Sequence, residues 1–188
     1  VNDVGSLTWS NSNSRSKRTY VSGKSSAGWY GQYGEQQSGR SRGFIYDGAT
    51  FTPIDFPAQL HTWVSAVTST GLVVGKYGSS GEYGFTMRDG VYTPFAVPGN
   101  AWIEGAYRDT VYGVLNDGTL KGFIYENGVV TKISYPGAYS TRLKAVSDGK
   151  FVGSFTTSST GVEQAFYYDG ATYKIIAVPG SQRTYLTA

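Results

Sequence analysis

Four stretches of this chain repeat one phrase. "RGFIYDGATFTPIDFP" (Arg42 to Pro57) returns as "YGFTMRDGVYTPFAVP" (Tyr83 to Pro98), as "KGFIYENGVVTKISYP" (Lys121 to Pro136) and as "QAFYYDGATYKIIAVP" (Gln164 to Pro179). A repeat of this length limits the architecture more than any single motif does, because each copy must be one supersecondary unit that buries its apolar face against its neighbours. Around each phrase the chain alternates short runs rich in Val, Tyr, Thr and Trp with Gly, Pro, Ser and Asp, which is the pattern of strands and turns. In the second copy these runs are "TWVSAV" (Thr62 to Val67), "LVVGKY" (Leu72 to Tyr77), "YGFTMR" (Tyr83 to Arg88) and "VYTPF" (Val91 to Phe95). Each unit therefore reads as a four-stranded antiparallel meander.

The phrase itself is a hairpin. Its centre carries Asp47-Gly48, Asp89-Gly90, Asn127-Gly128 and Asp169-Gly170, dipeptides that supply the positive φ angles of tight turns. The aspartates are accordingly read as turn residues rather than as catalytic acids. Each phrase closes on Pro57, Pro98, Pro136 or Pro179. Proline cannot donate to a sheet ladder, so the fourth strand of each unit is expected to be an edge.

A second marker opens each first strand: Thr19-Tyr20-Val21, Thr62-Trp63-Val64, Ala101-Trp102-Ile103, Thr141-Arg142-Leu143 and Thr184-Tyr185-Leu186, spaced 39 to 43 residues apart. Five first strands occur, but only four complete units. Units of about 40 residues with four strands each point to a β-propeller, whose radial packing protects the strand edges. The expectation is a single all-β domain over 1–188. Its repeats run approximately 19–61, 62–100, 101–140 and 141–183, and 184–188 combines with 1–18 in a fifth blade closed by both termini. Residues 1–14 could instead form a fourth strand before Thr19. A four-bladed ring and an open solenoid are the alternative architectures.

The same residues resemble the HAF extracellular repeat family of bacterial proteins. Its tripeptide stands here as Arg42-Gly43-Phe44, Tyr83-Gly84-Phe85, Lys121-Gly122-Phe123 and Gln164-Ala165-Phe166, with no copy carrying the histidine. Its Pro-Gly stands as Pro98-Gly99, Pro136-Gly137 and Pro179-Gly180, with Pro57-Ala58 departing, and its "xNDxG" segment is matched by Asn2-Asp3-Val4-Gly5. The resemblance implies a secreted or cell-surface protein with a propeller-like fold, and no particular activity. Opening on Val1 without a visible signal peptide fits a processed secreted chain and equally a trimmed one.

Composition excludes several chemistries. There is no cysteine and one histidine, His61, so disulfides, thiol nucleophiles and Cys- or His-rich metal sites are ruled out. No apolar run is long enough to cross a membrane as a helix. No phosphate-binding loop, nucleophile elbow, zinc motif or EF-hand loop is present, and no cofactor is expected. The net charge is +3, and Arg15, Lys17, Arg18, Lys24, Arg40 and Arg42 crowd the first 42 positions against Asp3 and Glu35. Such a segment suits an anionic partner, or is simply a solvated basic stretch. Without a nucleic-acid motif, a polysaccharide is the preferred partner.

A site is expected where the chain enters each inner strand, at the mouth of the channel. The residues after the Thr/Ala marker are Tyr20, Trp63, Trp102, Arg142 and Tyr185. Aromatic faces cover the apolar faces of sugars while their polar edges bond hydroxyls, and the guanidinium of Arg142 suits a carboxylate or sulfate. The competing role for these aromatics is packing between blades. Two residues further on stand Ser22, Ser65, Glu104, Lys144 and Thr187, with Glu104 and Lys144 expected to pair as neighbours. His61, in the loop before the second marker, is the candidate imidazole base. The second-to-third loops each hold one acid, Glu35, Glu82, Asp117 or Glu163, at spacings that form no symmetric metal ring.

The functional expectation is a secreted, non-enzymatic, lectin-like binding module for a glycan, including an anionic one, with Tyr20, Trp63, Trp102, Arg142, Tyr185, His61 and Glu104 as its binding residues. The alternative is a small polysaccharide hydrolase or lyase using Glu104, His61 or Tyr107 on the same face. A purely structural or protein-binding propeller is the third possibility.

Overall fold

In a computed structural model the structure describes residues 18–35, 38–79, 83–95, 100–180 and 186. Those residues form sixteen strands and no helix. Blade one contains β1 (Thr19–Ser25), β2 (Gly28–Gly34), β3 (Ser41–Tyr46) and β4 (Phe51–Ile54). Blade two contains β5 (His61–Val67), β6 (Val73–Gly78), β7 (Tyr83–Arg88) and β8 (Val91–Phe95). Blade three contains β9 (Asn100–Tyr107), β10 (Thr110–Asn116), β11 (Leu120–Glu126) and β12 (Val129–Ile133). Blade four contains β13 (Ser140–Ser147), β14 (Lys150–Thr156), β15 (Gln164–Tyr168) and β16 (Tyr173–Ile176). Within each blade consecutive strands pair antiparallel. The inner strands pack in sequence, β1 on β5, β5 on β9 and β9 on β13. The expected meanders are thus present. The fifth marker, from Thr184, and the N-terminal segment of the expected closing blade lie outside the described residues.

The core is a stack of identical choices. Phe44, Phe85, Phe123 and Phe166, the phenylalanines of the repeated phrase, are all buried. Truncating any one of them to alanine removes about 3–5 kcal/mol of packing. In blades one and three the residue before the Phe is small for a specific reason. A Cβ on Gly43 would lie 2.5 Å from Val64 Cγ2, and one on Gly122 would lie 2.7 Å from Leu143 Cγ. Val64 and Leu143 belong to the following blade's inner strand, so the small residue is the socket into which that strand presses.

Each inner strand carries a β-bulge at the same place. The ladder skips Ser22 between Val21 and Gly23, Ser65 between Val64 and Ala66, Glu104 between Ile103 and Gly105, and Lys144 between Leu143 and Ala145. A bulge leaves one residue unpaired, sharpens the local twist, and is favoured beside functional sites. At the bulge the carbonyl of the marker residue leans onto the second strand. The oxygens of Trp63, Trp102 and Arg142 lie 2.1 Å from where a Cβ on Gly75, Gly113 or Gly153 would stand, and the Tyr20 oxygen lies 1.9 Å from that of Gly31. Only glycine fits there, which explains its recurrence in every second strand.

The seams between blades have their own parts. Thr62 and Thr141 are buried, and each Oγ1 accepts the backbone N–H of the residue six positions earlier, Phe56 at 2.9 Å and Tyr135 at 3.0 Å. The hydroxyl thereby pins the incoming link to the new inner strand. The rings so pinned stack on the next blade: Phe56 on Tyr77 and Tyr135 on Phe155, both with centroids 3.8 Å apart.

Two expectations about turns are corrected. Asp89-Gly90 and Asn127-Gly128 do form two-residue turns with all four φ positive. The Asp47 and Asp169 turns are longer, spanning the identical tetrapeptide Asp-Gly-Ala-Thr, and in each of them only the glycine has positive φ. The aspartate Oδ1 instead accepts two backbone N–H groups, from Ala49 and Thr50 or from Ala171 and Thr172. The fourth strands also stop short of the closing prolines. Pro57, Pro136 and Pro179 sit in the turns beyond, while Pro53 and Pro94 lie within β4 and β8, strands that pair on one side only, as an edge permits.

Candidate functional site

The marker residues take equivalent places on successive inner strands. Tyr20 pairs across the ladder with Gln32, Trp63 with Lys76, Trp102 with Val114 and Arg142 with Ser154. Because Val64 and Leu143 point back into the preceding blade, strand alternation turns Trp63 and Arg142 the other way. Tyr20 is 50% exposed and Trp102 is 45% exposed, so neither ring is wedged into a dry seam. Trp63 is half-buried, with its ring 5.2 Å from that of His61. Tyr185 lies outside the described residues, as do Glu82 and Thr187.

His61 is not the loop base expected from the sequence. It begins β5 and is half-buried. Its Nδ1 accepts the backbone N–H of Ser41 at 2.9 Å, where β3 and β5 form a single parallel bridge. The ring is therefore employed in tying blade one to blade two.

Tyr107 is corrected more firmly. It ends β9, at the opposite end of the inner strand from the marker, and its hydroxyl donates to Asp148 Oδ2 at 3.1 Å. Arg108 pairs with the same aspartate at 2.7 Å, while Arg88 pairs with Asp109, which also accepts a hydrogen bond from Thr70. These contacts join the far face of blades two, three and four, and none lies at the mouth.

The expected pairing of Glu104 with Lys144 does not form. Both are bulge residues, but no ion pair joins them. Glu104 is exposed, and its charge acts on its own blade. The Tyr112 hydroxyl is held above its ordinary range, chiefly by burial, then by the charges of Glu104 and Tyr30.

Two of the acids of the second-to-third loops, Glu35 and Asp117, are braces. Glu35 accepts from Arg42 Nε at 2.5 Å and from Ser38 at 2.8 Å. Arg42 also pairs with Asp55, and Arg40 reaches Asp55 at 3.6 Å and the Gln59 carbonyl at 2.6 Å. Partial burial raises the Glu35 carboxyl, but these bonds and the two arginine charges outweigh it and hold the group below its ordinary value. Asp117 is likewise lowered by bonds from Lys132 and Lys121. Two of the six crowded basic residues, Arg40 and Arg42, are thus neutralised within blade one, and Lys24 lies over the Trp29 ring at 5.0 Å.

Blade four is arranged differently. A cleft of about 720 Å³ opens between blades three and four at the marker end of β13, and Arg142, Lys144, Ser154, Tyr139 and Glu163 are among its lining residues. Glu163 accepts a hydrogen bond from Ser154 Oγ. Among the described residues, neither Arg142 nor Lys144 forms an ion pair. The sequence placed Arg142 and Lys144 at the mouth. It also names Tyr139, in the fourth-to-first link, as a residue near that opening, but it did not signal the cleft or the Ser154–Glu163 bond.

No group of His, Cys, Asp or Glu capable of holding a metal occurs among the described residues, and no helix is long and apolar enough to cross a membrane. No family model matches the chain, and no curated protein matches it. Among solved structures it is similar to the β-propeller domain of the Trilobed protease from Pyrococcus furiosus, described as having an open velcro topology. The TM-score is 0.59 at 13% identity, over 90% of this chain and 57% of that one. At that identity the likeness establishes a propeller-like all-β fold and nothing about chemistry.

Proposed function

We propose that the chain is a secreted carbohydrate-binding propeller that holds a glycan at the channel mouth without transforming it. The observation that carries this reading is the exposure of Trp102, and of Tyr20 at the same register position, on the first strands of blades three and one. An aromatic face left open beside polar neighbours suits the apolar face of a sugar ring. The variable loops and bulge residues around it supply hydrogen-bonding groups on a constant frame. Two-carboxylate hydrolysis fits less well, because Glu163 is the one acid among the described residues lining the cleft and it is already bonded to Ser154. We read the ring as five-bladed, with residues 184–188 and 1–18 sharing the last blade, on the strength of the fifth marker at Thr184.

A glycan array followed by calorimetry tests the binding reading. Trp102→Ala and Tyr20→Ala should each weaken binding about tenfold or more while leaving the melting curve within a few degrees, the size expected of a lost aromatic contact. Unchanged binding in both variants would move the site away from the mouth.

A further inference from the structure

We infer that the cleft at blades three and four is a subsite for an oxyanion carried on a sugar, so that the glycan held at the mouth is acidic. This rests on the carbohydrate-binding reading above. Elsewhere among the described residues, half-buried Arg40 and Arg42 are paired with Glu35 and Asp55, and Lys121 with Asp117, while half-buried Lys76 forms no ion pair. In the cleft Arg142 and Lys144 are both half-buried and neither forms an ion pair among the described residues. Glu163, the acid of the same cleft, accepts a hydrogen bond from Ser154 and pairs with neither cation.

Desolvating a cation without a partner is costly, so a site that retains two such cations is built for an incoming anion. The bulge explains why both serve one cleft. Lys144 is the residue that leaves the ladder, two positions after Arg142 on the same strand, and both line the cavity. A guanidinium fork grips a planar or tetrahedral oxyanion through two hydrogen bonds, and an ammonium supplies a point charge beside it. At the rim Tyr139 is 47% exposed, placed to cover the sugar ring that carries the anion. A volume of about 720 Å³ lies within the range of small-molecule sites and admits more than a lone ion.

The test is calorimetric titration of the full chain with three tetrasaccharides: oligogalacturonate, a sulfated galactan oligomer that carries no uronic acid, and neutral cellotetraose. At least one acidic oligomer should bind about tenfold or more tighter than the neutral one, with affinity falling as salt rises. The preferred acidic oligomer shows whether the oxyanion is a carboxylate or a sulfate. The double variant Arg142→Met/Lys144→Met should lose that preference while keeping any neutral binding. Glu163→Gln, which removes the cleft's negative charge and keeps its shape, should tighten acidic binding a few-fold. Equal binding of acidic and neutral oligomers, or acidic binding that survives the double variant, overturns the oxyanion subsite and leaves the mouth reading standing. Absence of binding to every glycan on the array overturns both.

Discussion

Blades one and four place the same chemical groups on the same side of the molecule and use them in opposite ways. In blade one, two arginines stand beside Glu35 and Asp55 and are tied to them. In blade four, Arg142 and Lys144 line one cleft with Glu163 and form no ion pair among the described residues, while Ser154 donates to Glu163. The position of Ser154 on the second strand is held in blade one by Gln32, which pairs with Tyr20 as Ser154 pairs with Arg142. The location of a charge on a repeated frame thus says little about its use.

The largest expected effect tests the frame common to both blades. Gly31→Ala and Gly153→Ala each drive a methyl group to about 2 Å from a backbone oxygen, and each should cost about 3 kcal/mol or more. Chemical denaturation would measure this, and a mild effect in one blade alone would mean that the two bulges differ. Next in size is the contrast between the arginines. Arg42→Met strands two partly buried carboxylates and should cost about 1–2 kcal/mol, between the values for surface and buried pairs. Arg142→Met breaks no ion pair and should change stability by less than about 0.5 kcal/mol. Equal losses in the two variants would erase the distinction between bracing and binding cations.

The smallest effect is on acid stability. Glu35 is held below its ordinary value of 4.5, so it binds fewer protons folded than unfolded. Its stabilisation is present above pH 4.5 and is lost as pH falls through the lower folded value. Asp117 and Asp169, also lowered by lysine and amide bonds, add to the same acid limb. Acid titration of stability should therefore be shallower in Arg42→Met than in the parent and unaltered in Arg142→Met.

The strand plan was legible because it depends on local pattern: apolar runs, turn dipeptides and spacing place all four described markers at or within a residue of a strand start. What the sequence left unread depends on pairs of distant atoms. Nothing local distinguishes the turn of Asp89 from that of Asp47 except the Ala-Thr that follows the latter's glycine, whose amides the aspartate binds. Thr62 looked like a β-former and is a pin for Phe56 across the seam. Tyr107 was assigned to the wrong face because its strand, at eight residues, runs the full depth of the blade. His61 stands next to the marker and reads as loop, but it pairs with Gly78 in the β5–β6 ladder and bridges Ser41. Arg142 and Lys144 are visible as candidates, but that neither forms an ion pair among the described residues emerges only from the structure.

The skipped position on each inner strand has an evolutionary consequence. Ser22, Ser65, Glu104 and Lys144 occupy it in turn, a hydroxyl twice, then a carboxylate and an ammonium. A side chain there owes nothing to the cross-strand register, so a single codon change can re-tool one sector of the rim while the scaffold stays intact. Tandem duplication followed by drift at that one site would be enough to generate new recognition specificities.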